Sequence, residues 1–197
     1  MLSLEQGEKL VKLARQAISS YISKKKIRIK EGIRKEFSIL SGAFVTLDKD
    51  GLLRGCIGVA NAVYPLYQAV ADSAVSAAFS DPRFPPLDKE ELDKITISIS
   101  VLTNPTAISV RNPEDYIKQI QIGRDGLLVK GVFSSGLLLP IVAVEQQWDG
   151  LTFLEQTCLK AGLPADTWRD FNACRVYKFQ TEVFSEKSPN GEVVKEM

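Results

Sequence analysis

The chain has 197 residues, with 25 Lys and Arg against 24 Asp and Glu, three cysteines and no histidine. At roughly 100–200 residues per domain this is one domain, or one divided into two lobes, and 45% apolar residues suffice for an ordinary core. A net charge of +1 gives no global attraction for nucleic acid or anionic membrane, and the missing histidine excludes Ser-His and Cys-His catalysis, HExxH zinc sites and His-ligated haem within this chain.

In chain order, Ser3-Leu4-Glu5-Gln6 is a capping-box arrangement and predicts a helix start. Leu10, Leu13, Ala14, Ala17, Ile18, Tyr21 and Ile22 recur at three- and four-residue steps, which predicts one apolar face. The basic run at 24–30 reads as a solvated face, because Glu31 and Glu36 weaken its pull on phosphate. Ala43 to Leu47 and Leu52 to Gly58 flank a turn ending in Asp50-Gly51 and predict a hairpin. Pro65 opens a second helix whose small-residue face includes Ala69, Ser73, Ala74, Ala77 and Ala78. The prolines of Asp81-Pro82-Arg83-Phe84-Pro85-Pro86 end it. Ile95, Ile97, Ile99 and Val101 then alternate as a strand does.

In the second half, Asn112-Pro113-Glu114 predicts a short helix carrying Tyr116, Ile117 and Ile120. Leu127 to Lys130 and Leu137 to Leu139 suggest another hairpin. Helices are expected from Pro140 through Trp148 and from Thr152 to Ala161, the latter stopped by Gly162 and Pro164. Cys174 to Phe184 reads as a last strand, and 185–197 is polar enough to be a flexible tail. Strands and helices interleave without regular βαβ repetition. The expected fold is therefore α+β, a mixed or antiparallel sheet with packed helices in a single domain over 1–197.

Cys56, Cys158 and Cys174 are odd in number and form no C-x-x-C pair, so neither a disulfide framework nor a zinc ribbon is indicated. A reducing, cytoplasmic setting is the expectation. No apolar run approaches the ~18 residues of a membrane span, so the chain is expected to be soluble, and no membrane partner is expected. No metal site or cofactor is read from the residues, nucleic acid is not an expected partner, and strong affinity for duplex DNA least of all.

Three places could carry chemistry. In Leu53-Arg54-Gly55-Cys56-Ile57-Gly58 a thiol lies between Gly55 and Gly58, where backbone can approach a ligand closely, and Arg54 would favour the thiolate if it pointed that way. The alternative is a small residue packed in a strand. In the proline loop, Asp81 and Arg83 could fix an anionic group through the guanidinium, or Asp81 could simply cap a turn while Phe84 anchors the loop. Glu145 and Trp148, three apart on the expected helix, would set a carboxylate beside an indole, or be a surface acid and a buried ring. Cys158 and Cys174 lie in apolar patterns and read as core.

These residues also carry a resemblance. Leu53 to Gly58 resembles the LRGCIG signature of the AMMECR1 family, and the strand before it, Asp81 to Leu87, Ser100-Val101-Leu102, Leu139-Pro140 with Glu145 and Trp148, and Ala161-Gly162-Leu163 agree in order. Ile141 stands where the family pattern leads one to expect glutamine. The resemblance implies an α+β fold of two unequal lobes whose signature faces a cleft, and it carries no defined reaction. It also implies service to transcription, translation or repair machinery, or an enzymatic pathway shared with Memo-like or radical-SAM proteins. This chain lacks the cysteine cluster of a radical enzyme and could only be its partner.

Two functions follow as expectations. One is an enzyme or carrier subunit that binds a small molecule or peptide, with Cys56 as nucleophile or attachment point, Glu145 handling protons, and Arg54, Gly55, Gly58, Asp81, Arg83 and Trp148 forming the binding surface. The other is a noncatalytic module using the same surface to bind a ligand or a partner's loop.

Overall fold

The computed structural model describes residues 1–196. Its first elements are α1 (Leu4–Ile22), α2 (Glu31–Glu36), β1 (Ala43–Lys49), β2 (Leu52–Val59), α3 (Leu66–Phe79) and β3 (Ile95–Leu102). Then come β4 (Thr106–Ala107), α4 (Asp115–Gln119), β5 (Gly126–Gly131), β6 (Ser135–Leu138), α5 (Pro140–Glu145) and α6 (Gly150–Lys160). The last are β7 (Cys174–Phe179), β8 (Thr181–Glu186) and β9 (Val193–Lys195). The fold is α+β, and the chain divides into two compact units, one of residues 1–102 with 182–196 and one of 103–181. No helix among the described residues is long and apolar enough to cross a membrane.

In the first unit, the capping box forms: Gln6 donates its N–H to Ser3 Oγ, and Ser3 donates its own to Gln6 Oε1. Leu10, Leu13, Ala14, Ala17 and Ile18 are buried along α1, as their spacing predicts. Tyr21 departs from that stripe. It is 55% exposed, with its ring stacked on Phe79 at 4.5 Å, whereas Ile22 beside it still packs against the core.

The sheet has the order β2-β1-β3-β8-β9, with β1 antiparallel to both β2 and β3. Val45, Leu47, Ile97 and Ile99 point from it into one core with α1 and α3. The alanines of α3 let that helix lie close to the sheet.

The expected tail at 185–197 is instead structured through residue 196, where β8 and β9 pair antiparallel. Two of its polar residues, Ser185 and Glu186, are buried and paired, while Lys187, Ser188 and Asn190 face solvent. Glu186 accepts from the Arg15 guanidinium and from the N–H of Ile97, and Ser185 donates to Glu196.

The second unit is a sheet of order β4-β7-β5-β6, its pairs antiparallel. Leu127, Val129, Phe153, Leu154, Trp168 and Val176 form its core, together with Cys158 and Cys174. The expected single strand from Cys174 to Phe184 is two strands in different sheets. They part at Gln180, whose C=O accepts the N–H of Thr103 and whose N–H bonds Thr103 Oγ1 instead of a strand neighbour.

Candidate functional site

The geometry around Cys56 starts in the hairpin turn. Asp50 and Gly51 both have positive φ, 54° and 77°, the two-residue turn whose twist matches antiparallel strands. From it Lys49 opposes Leu52 and Asp48 opposes Leu53, but Leu47 then opposes Gly55. Arg54 is thus the extra residue of a β-bulge. The shift turns over every side chain beyond it. Without the bulge Cys56 would face buried Val45; with it, Cys56 stands opposite Thr46, whose hydroxyl donates to Sγ at 3.3 Å. Cys56 is half-buried, whereas Cys158 and Cys174 are buried.

The two glycines beside the thiol serve protein packing. A Cβ on Gly55 would lie 2.2 Å from the Ala77 carbonyl oxygen of α3, and one on Gly58 would lie 2.3 Å from the Phe44 ring. The space read from sequence as room for a ligand is filled by the chain itself.

The loop after α3 closes on this strand through Asp81, only 5% exposed. Its Oδ2 accepts the N–H of Cys56 at 2.9 Å and Arg83 Nη2 at 2.7 Å, while Oδ1 accepts the N–H and Nε of Arg83 at 3.1 and 3.0 Å. Asp81 therefore both turns the chain, as its spacing to Arg83 allows, and grips the guanidinium. Arg83 holds its carboxyl far below the usual carboxylate range, against the opposing effect of burial, and the backbone N–H of Cys56 helps. With its acceptor sites spent, Asp81 is not a free acid or base for a ligand. Arg83 Nη2 also reaches the Cys56 carbonyl at 3.3 Å. The Arg83 side chain stays half exposed, and its Nη1 has no hydrogen-bond partner among the described residues.

Arg54 does not serve the thiol. It is 8% exposed and forms a two-pronged pair with Glu91, Nε to Oε1 at 3.1 Å and Nη2 to Oε2 at 2.9 Å. Lys49 adds a third bond to Glu91. Arg54, ahead of Lys49, lowers the Glu91 pKa to about 2. Arg54 Nη1 is buried with no acceptor among the described residues. Phe84 lies against both guanidiniums, 5.5 Å from Arg83 and 6.0 Å from Arg54, so the ring offered by the sequence as a loop anchor is half-buried between cations.

The first unit thus brings together Cys56, Arg54, Gly55, Gly58, Asp81 and Arg83. Glu145 and Trp148 belong to the second unit, and they do not share a helix face. Helix α5 ends at Glu145, Gln147 has φ 55°, and the Trp148 N–H turns back to the Ala143 carbonyl. Glu145 is exposed, as is Ile141 on the same helix. Among the described residues no group of three or more Cys, Asp or Glu is arranged to hold a metal ion.

Sequence reading misses Thr46 and Glu91. Thr46 is findable only by pairing the hairpin and knowing of the bulge. Glu91 lies 37 residues from its partner, with no local pattern to connect them.

Comparison with known proteins agrees over nearly the whole chain. The AMMECR1 family model matches residues 11–184. The chain is 48% identical to Protein MK0488 of Methanopyrus kandleri, over 98% of this chain and 94% of that one. It is 44% identical to Protein MJ0810 of Methanocaldococcus jannaschii, over 98% and 96%. The crystal structure of the uncharacterized protein PH0010 from Pyrococcus horikoshii is similar at TM-score 0.87 and 44% identity, covering 98% of this chain and 97% of that one. None of these relatives is named for an activity. On a match of this extent, the chain belongs to the AMMECR1 family.

Proposed function

We propose that the first unit binds an anionic small molecule or peptide at Cys56 and Arg83, and that the Cys56 thiol is its attachment point. The observation that supports this is the division of labour around Asp81. A buried carboxylate is spent wholly on anchoring the Cys56 backbone and aiming Arg83, which leaves a half-exposed guanidinium bonded to the backbone carbonyl of the residue that carries a half-buried thiol. A rigidly held arginine with free N–H groups is a carboxylate or phosphate receptor. In attachment, the sulfur forms a bond to an electrophilic carbon of the ligand, the leaving group departs with its electron pair, and the thiol proton passes to water, since Asp81 is occupied.

The noncatalytic reading also has a specific observation behind it. The Thr46 hydroxyl already occupies the sulfur, as it would in a thiol that only packs. Limited alkylation of the folded protein, with each cysteine quantified by mass spectrometry, separates the two. Attachment chemistry expects Cys56 to react faster in the folded protein than in the urea-unfolded chain, whereas a thiol that only packs reacts more slowly folded than unfolded; Cys158 and Cys174, which are buried, give the rate of shielded thiols. Equal, slow reaction at all three would leave the noncatalytic module as the better account, and ligand binding should then survive Cys56→Ala.

A further inference from the structure

The near-zero net charge conceals a strong local imbalance. Residues 9–35 contain ten Lys and Arg and a single acid, Glu31; Lys9, Lys12, Arg15 and Lys35 are ion-paired, which leaves six cations there unpaired in a chain whose total charge is +1. The two acids that would neutralise the basic run are already engaged. Glu31 pairs with Lys35, and Glu36 pairs with Lys9. Lys24, Lys25, Lys26, Arg28, Lys30 and Arg34 are exposed and have no ion-pair partner among the described residues. Ile27, Ile29 and Ile33 pack inward on the core. That alternation turns Lys26, Arg28 and Lys30 outward, at a spacing of roughly 6–7 Å if the backbone is extended.

At the head of this row is a hollow of about 600 Å³ lined by Tyr21, Ile22, Phe79, Leu87 and Lys24–Lys26. Its floor includes the stacked Tyr21–Phe79 pair, and Tyr21 keeps more than half its surface free. Aromatic stacking with a row of cations beside it is the arrangement that holds single strands without reading their sequence. A duplex hides its base faces. An acidic peptide offers charge but no flat ring at every residue. From the charge complementarity and the stacked pair together, we infer that this surface binds single-stranded nucleic acid, with a base on Tyr21 and the backbone phosphates along the row from Lys24 to Lys30. This inference is independent of the Cys56 site.

The test is fluorescence anisotropy of the full chain with labelled oligo(U) and oligo(dT) of about a dozen nucleotides, with a duplex of equal length and a poly-glutamate peptide as comparisons. Binding of either single strand at roughly 0.1 M salt, with log affinity falling by about 0.7 per phosphate contacted as log salt rises, supports the proposal. The variant Tyr21→Ala should weaken binding about 5- to 100-fold while the protein still melts cooperatively, at a temperature lowered by the lost stacking on Phe79. The triple variant Lys26→Gln, Arg28→Gln, Lys30→Gln should reduce the salt slope by about 2. Absence of binding, equal affinity for duplex, equal competition by poly-glutamate, or an indifferent Tyr21→Ala would each overturn it.

Discussion

The carboxylate of Asp81 accepts the backbone N–H of Cys56 across 2.9 Å, and with the same two oxygens holds the guanidinium of Arg83. One buried acid thereby ties strand β2 to the loop that follows α3. Asp81→Asn puts an amide donor where two donors already converge. The expected loss is about 1.5–3 kcal/mol of unfolding free energy, read by urea titration. An unchanged midpoint would show that the loop is held by something else.

Acid should weaken the fold from this side of the molecule. Asp81 is held well below the usual carboxylate range by Arg83, and Glu91 is lowered from 4.5 to about 2, chiefly by Arg54. For both groups the unfolded chain takes up a proton at higher pH than the folded one. Their stabilisation is therefore complete above about pH 5 and is lost as the pH falls through the folded values. Urea midpoints should be level near neutrality and decline from about pH 4.5 toward 2, with a shallower decline in Glu91→Gln. A fold that gains stability on acidification across that window would contradict the assignment.

Breaking the Arg54–Glu91 pair should cost more than deleting it. Glu91→Gln leaves a buried guanidinium without its counter-ion, at an expected cost of about 3–5 kcal/mol. Arg54 Nη1 already lacks an acceptor, so the pair is not an efficient source of stability. The double variant Arg54→Met, Glu91→Leu should recover most of the loss, which a double-mutant cycle by denaturant unfolding measures directly.

Gly55 should tolerate nothing larger. Its added Cβ would meet the Ala77 carbonyl of α3 at 2.2 Å, backbone that cannot step aside. Gly55→Ala is expected to destabilise by about 1–3 kcal/mol or more through strain between helix and strand. Gly32, in α2 with nothing near its missing Cβ, is the control: Gly32→Ala should gain roughly 0.5–1 kcal/mol. Comparable losses at both positions would mean that packing against α3 is not the reason for Gly55.

Much of the fold was legible because its signals are local. The capping box at Ser3, the turn at Asp50-Gly51 and the alternation through Ile95–Val101 each lie within a few residues and appear as expected. The site was legible in part. Cys56, Asp81 and Arg83 were candidates from their residue types, but the bulge at Arg54 that decides which way Cys56 faces leaves no mark in composition. Glu145 and Trp148 misled because helical spacing carries on in sequence where the backbone reverses at Gln147. The polar stretch from Ser185 misled because Arg15, which pairs with Glu186, is 171 residues away.

If Arg83 makes the surface at Cys56 an anion-receiving thiol site, a negatively charged alkylating agent is favoured there over a neutral one. The most direct measurement is the rate of Cys56 alkylation by iodoacetate relative to neutral iodoacetamide, followed by mass spectrometry in the folded wild type, Arg83→Gln and Arg83→Lys. The expected result is a preference for iodoacetate at Cys56 that falls about threefold to tenfold in Arg83→Gln, is partly restored in Arg83→Lys, and is lost at high salt, while Cys158 and Cys174 stay unlabelled. A ratio that is the same in wild type and Arg83→Gln, or a Cys56 that reacts no faster than the two buried cysteines, would contradict it.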